Sequence, residues 1–250
     1  MGSQIPKQFL ELGGKPILQR TIERFTFAEP DIRVITVLPE NHRRLWEELC
    51  IKHALNVPQI IAEGGITRFH SVQKALAFVP EGATVAIQDG VRPLVSGGLI
   101  KKMFALMAEC RALIPVTPVT DSLKLLEKEE GGASGCTVQS AGSALGSPSR
   151  GGAAAANTAD KAYAELLPLR SSDAPEPDRS RLFAAQTPQI FRSEDIKSAY
   201  GRLGFRLDFT DDASVAKAAG IPLSYIAGEK YNIKITTPDD LRLAELLINL

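Results

Sequence analysis

Apolar runs of strand length alternate with amphipathic helical stretches along most of this chain, and few folds accommodate that order. Such alternation specifies an α/β domain with a mostly parallel sheet and helices on both faces. The run Thr84-Val85-Ala86-Ile87 is central to it, because it delivers Gln88-Asp89-Gly90-Val91-Arg92-Pro93. In an open α/β sheet, the carboxyl end of a buried strand is where side chains enter the ligand crevice. Gly90 permits a sharp turn or a close backbone approach, and Pro93 biases Arg92 towards extended backbone. Asp89 then offers an acceptor for a metal or a hydroxyl beside the planar fork of Arg92. A structural ion pair at a strand end is the competing reading of the same two residues.

Taken in order, Leu10 to Pro16 predicts a short extended piece and a turn, with Pro16 at the first position of a helix bearing Ile17, Leu18, Ile22 and Phe25. Asp31 to Leu38 predicts a buried strand, and Asn41 the cap of a helix through Cys50 in which Trp46 packs. Pro58 to Ala62 predicts a strand running into Glu63-Gly64-Gly65-Ile66-Thr67-Arg68. A glycine pair between strand and helix can bring backbone close to a base or phosphate, although most such pairs are simple turns. The helix beyond it continues through Phe78, with His70 on its surface. Another helix covers Gly97 to Glu109, and Arg111 to Val119 predicts a strand whose prolines bend it or place it at an edge.

Gly131 to Asn157 is Gly, Ala and Ser with hardly any large apolar residue, a composition that cannot pack a core. It predicts a flexible insertion, followed by a short helix over Thr158 to Leu167 and a Pro-rich linker. Order is expected again from Arg181. Thr210 is expected to cap a helix whose two acids, Asp211 and Asp212, sit on the positive end of its dipole. At the end, Tyr231 to Thr236 predicts a strand carrying Lys234, with Thr237 capping a last helix and Pro238 at its first position. A lysine among apolar neighbours is costly unless it meets an anion or water.

The 29 basic and 29 acidic residues balance, so no global field pulls the protein to nucleic acid or membrane, and any phosphate affinity must be local. Neither nucleic acid nor membrane is expected as a partner. Cys50, Cys110 and Cys136 show no metal or redox spacing and read as reduced thiols of a cytoplasmic protein. No apolar run approaches the ~20 residues of a membrane span, and no secretory leader is expected. The candidates gather at strand ends: Lys7, Gly65, Asp89, Arg92, Ser122, Thr210 and Lys234. Three bases and few acids around one crevice suit a poly-anionic substrate.

Seven short motifs then occur in sequence: Pro6-Lys7-Gln8-Phe9, Gly64-Gly65 with Thr67-Arg68 and Ser71-Val72, Asp89 to Pro93, Pro118 to Lys124, Gln186-Thr187-Pro188-Gln189, Thr210 to Ser214, and Asn232 to Thr236. In that order the chain resembles the 2-C-methyl-D-erythritol 4-phosphate cytidylyltransferases, over everything except Glu127 to Pro177.

The resemblance implies a Rossmann-like nucleotidyltransferase domain spanning residues 1–250 and acting as a homodimer, with residues 127–178 as the flexible insertion or dimerisation-arm region. It implies Mg²⁺-dependent transfer of CMP from CTP to a sugar-alcohol phosphate. By that likeness Lys7 and Lys234 hold the α-phosphate. Asp89, Arg92, Ser122, Thr187 and Thr210 line the acceptor pocket. Gly64, Gly65, Ser71 and Asp89 belong to nucleotide binding, Asp89 is the candidate metal ligand, and Arg179 reaches the acceptor phosphate of the neighbouring subunit. The family also has a first strand and a Gly-rich loop of about twenty residues ahead of the position of Met1, so the first strand is expected to be missing and CTP binding weak or absent. Two other readings stand beside it: a cytidylyltransferase for another polyol phosphate such as ribitol 5-phosphate, and an inactive nucleotide-binding protein.

Overall fold

The computed structural model describes residues 5–128, 169–172, 174–204, 206 and 209–248. The expected insertion at Gly131 to Asn157 and the expected helix at Thr158 to Leu167 lie outside them. The chain divides into two compact units, residues 1–118 with 183–250, and residues 119–182.

The first unit opens with a single 3₁₀ turn, Lys7–Phe9. Its elements are then β1 (Glu11–Leu12), β2 (Lys15–Pro16), α1 (Ile17–Ala28), β3 (Val34–Leu38), α2 (Glu40–Lys52), β4 (Gln59–Glu63), α3 (Arg68–Leu76), β5 (Thr84–Ile87), α4 (Gly97–Leu106) and β6 (Ala112–Pro118). The second unit contributes β7 (Leu126–Lys128) and β8 (Leu169–Ser171), an antiparallel pair. The first unit resumes with β9 (Phe183–Ala185), β10 (Gln189–Arg192), α5 (Ser193–Arg202), α6 (Asp212–Ala218), β11 (Ser224–Ala227) and α7 (Pro238–Leu247).

The main sheet runs β11-β6-β10-β5, with β9 also on β6. Strand alternation assigns its faces. Ala112, Ile114 and Phe191 pack on one side with Phe69, Ile196, Tyr200 and Val215, from α3, α5 and α6. Leu113 and Ile190 pack on the other with Phe25, Ile100 and Met103, from α1 and α4. Helices therefore cover both faces, as the alternation requires. The sheet itself is mixed: β11 runs parallel to β6, while β10 runs antiparallel to both β5 and β6. β3 and β4 form a separate parallel pair backed by Trp46, Phe9 and Leu18. A cavity of about 340 Å³ lies between β3 and the end of β5, lined by Leu18, Val34, Leu38, Ala86, Gln88 and Gly90.

Several local expectations are corrected. β6 is internal despite its prolines. β10 pairs with Ala112 and Leu113, and β9 with Val116 to Pro118, so Pro115 falls at their junction. A strand residue points its N–H and C=O to the same side; the Pro115 carbonyl accepts from the Gln186 N–H (2.8 Å), so the donor that proline lacks faces the break and not a ladder. Pro16 precedes the first helical residue, and Pro39, not Asn41, stands at the cap of α2. Asp211, not Thr210, caps α6, its carboxylate accepting from the Ser214 N–H. The segment bearing Lys234 is not a strand; it is tied down by the Ile235 N–H donating to Val91 O (2.9 Å). Thr237 does cap α7, in a reciprocal pair with Asp240.

Candidate active site

The site is built where β5 ends. Beyond Ile87, the Asp89 N–H donates to Thr187 Oγ1 (3.1 Å), and the Arg92 N–H donates to Asp89 O (3.0 Å), closing a turn. α1 comes close at Gly90: a Cβ there would lie 2.9 Å from Leu18 Cδ1, a side-chain end that would have to shift. The turn aims the Asp89 carboxylate at three cations. Lys234 Nζ is 3.0 Å and Arg92 Nε 3.4 Å from Oδ2, and Arg68 Nε is 4.0 Å from Oδ1. Burial disfavours the Asp89 anion, but Lys234, then Arg68 and Arg92, outweigh it and hold the carboxyl below its usual range. Burial lowers the Arg92 guanidinium, and Asp89 restores part of that loss.

Lys234 owes its place to a knot of buried amides. Asn232 is fully buried; its Nδ2 donates to Thr187 O (2.9 Å), and its carbonyl accepts from Arg92 Nη1 (2.7 Å). Gln186 bonds Glu229 twice, Nε2 to the carbonyl (2.8 Å) and Oε1 from the N–H (3.1 Å), as a neighbouring strand would. The backbone before Lys234 is thus fixed, while its side chain is 44% exposed. The lysine expected to need an anion or water meets both, Asp89 on one side and solvent on the other.

The glycine pair lies at the end of β4. The Gly64 N–H donates to Leu38 O (2.8 Å), and the Gly65 N–H to Ser71 Oγ (2.9 Å). Ser71 in turn donates to Thr67 O (2.9 Å), so its proton shapes the loop. A Cβ at Gly65 would lie 2.7 Å from the His70 carbonyl carbon, which only glycine avoids. Thr67 caps α3 and also meets His70 Nδ1 (2.8 Å).

Arg68 opens α3 and has a second anion behind it. Its Nη2 donates to Asp212 Oδ2 (2.5 Å), and Tyr200 Oη donates to Asp212 Oδ1 (2.6 Å). Asp212 is fully buried. Although burial opposes its charge, Asp212 pushes the Arg68 guanidinium up; the Tyr200 phenol is pushed up by burial and by Asp212.

The structure therefore gathers Asp89, Arg92, Thr187 and Lys234 and joins them through Arg68 to the loop of Gly64, Gly65 and Ser71. Thr210 lies exposed just ahead of α6. Lys7 lies in the first turn, its side chain without an ion pair or hydrogen bond among the described residues. Ser122 and Arg179 belong to the second unit, where Ser122 is exposed and Arg179 Nη1 donates to Thr120 O (3.0 Å). The reading by sequence assigned no place in the site to Arg68, Tyr200 or Asn232 and treated Asp212 only as an acid at a helix N-terminus. The motifs contain Arg68, Asp212 and Asn232, but nothing local pairs an arginine with an aspartate so distant along the chain.

Among the described residues no group of three or more His, Cys, Asp or Glu side chains could hold a metal alone. A Mg²⁺ that keeps its waters and takes other ligands from substrate phosphates needs only one or two carboxylates. The single carboxylate of Asp89 fits that demand.

The model of the 2-C-methyl-D-erythritol 4-phosphate cytidylyltransferase (IspD) family matches residues 1–139 and 172–249. The enzyme of that name from Bacteroides thetaiotaomicron is 36% identical over 248 residues, covering 99% of this chain and 93% of the relative. That from Porphyromonas gingivalis is 38% identical over 250 residues, covering 99% and 91%. Among solved structures, the Thermus thermophilus enzyme of the same name superposes with a TM-score of 0.68 at 27% identity, covering 98% of this chain and 94% of that one. The 4-diphosphocytidyl-2C-methyl-D-erythritol synthase of Anaerococcus prevotii shares the fold at a TM-score of 0.70 and 20% identity, covering 100% and 92%.

Proposed function

This chain belongs to the 2-C-methyl-D-erythritol 4-phosphate cytidylyltransferase family, and from that premise we propose how its residues perform the family's reaction. The protein is a nucleotidyltransferase that moves CMP from CTP to 2-C-methyl-D-erythritol 4-phosphate and releases pyrophosphate, a step of isoprenoid precursor synthesis. An acceptor phosphate oxygen attacks the α-phosphorus. The new P–O bond forms as the bond to the bridging oxygen breaks, and that electron pair leaves with pyrophosphate. The attacking oxygen is already anionic, so the difficulty is not deprotonation but bringing two anions into line.

Fixed cations address that. The observation carrying the reading is the cluster at the end of β5, in which Asp89 holds Lys234 and Arg92 ready for an anion. Lys234 is the mobile charge: its exposed ammonium turns from Asp89 to the α-phosphate, with Lys7 as the second cation there. Arg92, Thr187 and Thr210 line the acceptor pocket, and Thr187 also seats the Asp89 backbone. Gly64, Gly65 and Ser71 shape the loop that faces the nucleotide. Asp89 would hold Mg²⁺, which would supply charge neutralisation on the phosphates.

The protein is a cytoplasmic homodimer in this reading, with the partner subunit's Arg179 meeting the acceptor phosphate. Half-exposed Leu123, Leu125 and Leu126 on the second unit support such an interface. Among the described residues no helix is long and apolar enough to cross a membrane. The test is pyrophosphate release with CTP, Mg²⁺ and 2-C-methyl-D-erythritol 4-phosphate, against ribitol 5-phosphate. Turnover of the first is expected; preference for ribitol 5-phosphate would overturn the acceptor assignment.

A further inference from the structure

The Asp89 carboxylate is shared by three cations of unequal freedom. Lys234 is 44% exposed on its side chain, and Asp89 is its only ion-pair partner among the described residues. Arg92 is 12% exposed and also bound to Asn232 O. Arg68 is anchored from behind. Its Nη2 is on Asp212 Oδ2, and the other Asp212 oxygen is taken by Tyr200 Oη. The Tyr200 ring is stacked 4.6 Å from Phe69, the residue next to Arg68 in α3. Asp212 is wholly buried, and an unpaired buried carboxylate is costly, so Arg68 cannot leave it cheaply for a substrate anion. The same guanidinium keeps its Nε towards Asp89 Oδ1.

We propose that Arg68 is a positioning residue that keeps Asp89 in place once Lys234 has turned from it to the substrate phosphate. The proposal rests on the cytidylyl-transfer reading given above. Lys234 and Arg92 both sit on Oδ2, so the departure of Lys234 leaves Oδ2 with one cation. Arg68, its Nε 4.0 Å from the opposite oxygen and unable to follow, holds the carboxylate in place by charge while the substrate is bound. The buried Asp212–Tyr200 pair is the anchor of that device, which gives an interior carboxylate a part in the reaction without touching substrate.

The test is a double-mutant cycle of Arg68→Gln and Asp89→Asn, read as kcat and KM for pyrophosphate release alongside thermal melting. If Arg68 acts through Asp89, Arg68→Gln lowers kcat about ten- to a hundredfold in the wild type, with KM for CTP changed by less than about threefold. In the Asp89→Asn background the same substitution costs less than about twofold, because the two changes do not add. Equal losses in both backgrounds, or a loss confined to KM, would overturn the proposal. Should Arg68→Gln fail to fold with Asp212 unpaired, Arg68→Lys carries the cycle, since it keeps a charge for Asp212 but not the fork that reaches both acids. Wild-type protein that releases no pyrophosphate would sink the underlying reading, whereas active wild type with an additive cycle would sink only the role of Arg68.

Discussion

Lys234 places its ammonium 3.0 Å from Oδ2 of Asp89, bringing the end of the chain onto the end of β5. The pair sits on a fixed backbone yet keeps one exposed member, so the positive charge can be re-aimed.

Lys234→Ala should lower kcat about a hundred- to a thousandfold, the range for removing one group aimed at developing charge. Because Arg92 and Arg68 remain on Asp89, the melting temperature should hardly move. Pyrophosphate release and a melting curve on the same preparation check both halves. A nucleotide sensor would instead lose only affinity.

Gly65→Ala should damage nucleotide binding through the backbone. The new Cβ would lie 2.7 Å from the His70 carbonyl carbon and 2.9 Å from Ser71 N, and neither atom is the end of a flexible side chain. Overpacking of this kind costs about 1–3 kcal/mol. A lowered melting temperature together with weaker CTP binding by calorimetric titration is the expected outcome; CTP affinity equal to wild type would contradict it.

Trp46→Ala should be severe although Trp46 has no part in the reaction. Its ring is fully buried and stacked 5.7 Å from Phe9, and its Nε1–H donates to Gln59 Oε1 (3.2 Å), which also accepts from Thr36 Oγ1 (2.7 Å). Truncating a buried aromatic costs about 3–5 kcal/mol. Urea unfolding measures that loss directly, and a change under about 1 kcal/mol would mean the β3–β4 layer is loosely packed.

Asp240 gives a pH dependence with a defined sign. Burial would raise its pKa, but the N–H and hydroxyl groups of Thr236 and Thr237 outweigh that and bring it down to about 2. A depressed carboxyl contributes stability above its unfolded value of 3.8, and the contribution is lost as pH falls through about 2. Solvent screening at this exposed cap keeps the effect small. Wild type should therefore lose stability over that window more steeply than Asp240→Asn, as judged by urea midpoints at successive pH values.

Much of this was legible in the residues because local chemistry decides it. Thr84–Ile87 is a strand at the predicted boundaries, Trp46 is core, and Thr237 caps α7. Lys234 was expected to need an anion or water, and it has Asp89 and partial exposure. What escaped depends on direction or distance. An apolar run does not state which way its strand runs, so the reversal of β10 is invisible in Gln189–Arg192. Pro115 suggested an edge because nothing local announces that two strands share one side of β6. Thr210 and Asp211 are both good caps, and only the fold selects the second. The Arg68–Asp212 pair joins the starts of two helices remote in sequence.

Gln186 shows how a mutational scan of this motif would mislead. Its amide stands in for a strand against Glu229, and Glu229 and Asn232 lead directly to Lys234. Replacing it would loosen that lead, and turnover would fall as though a reacting group had been lost. Gly228 would score alike, since any Cβ there would lie 2.6 Å from Gln186 Oε1. A ranking by lost activity would thus promote two scaffold positions into the chemistry, and exchange protection of the Asn232 and Ile235 amides is what would tell them apart.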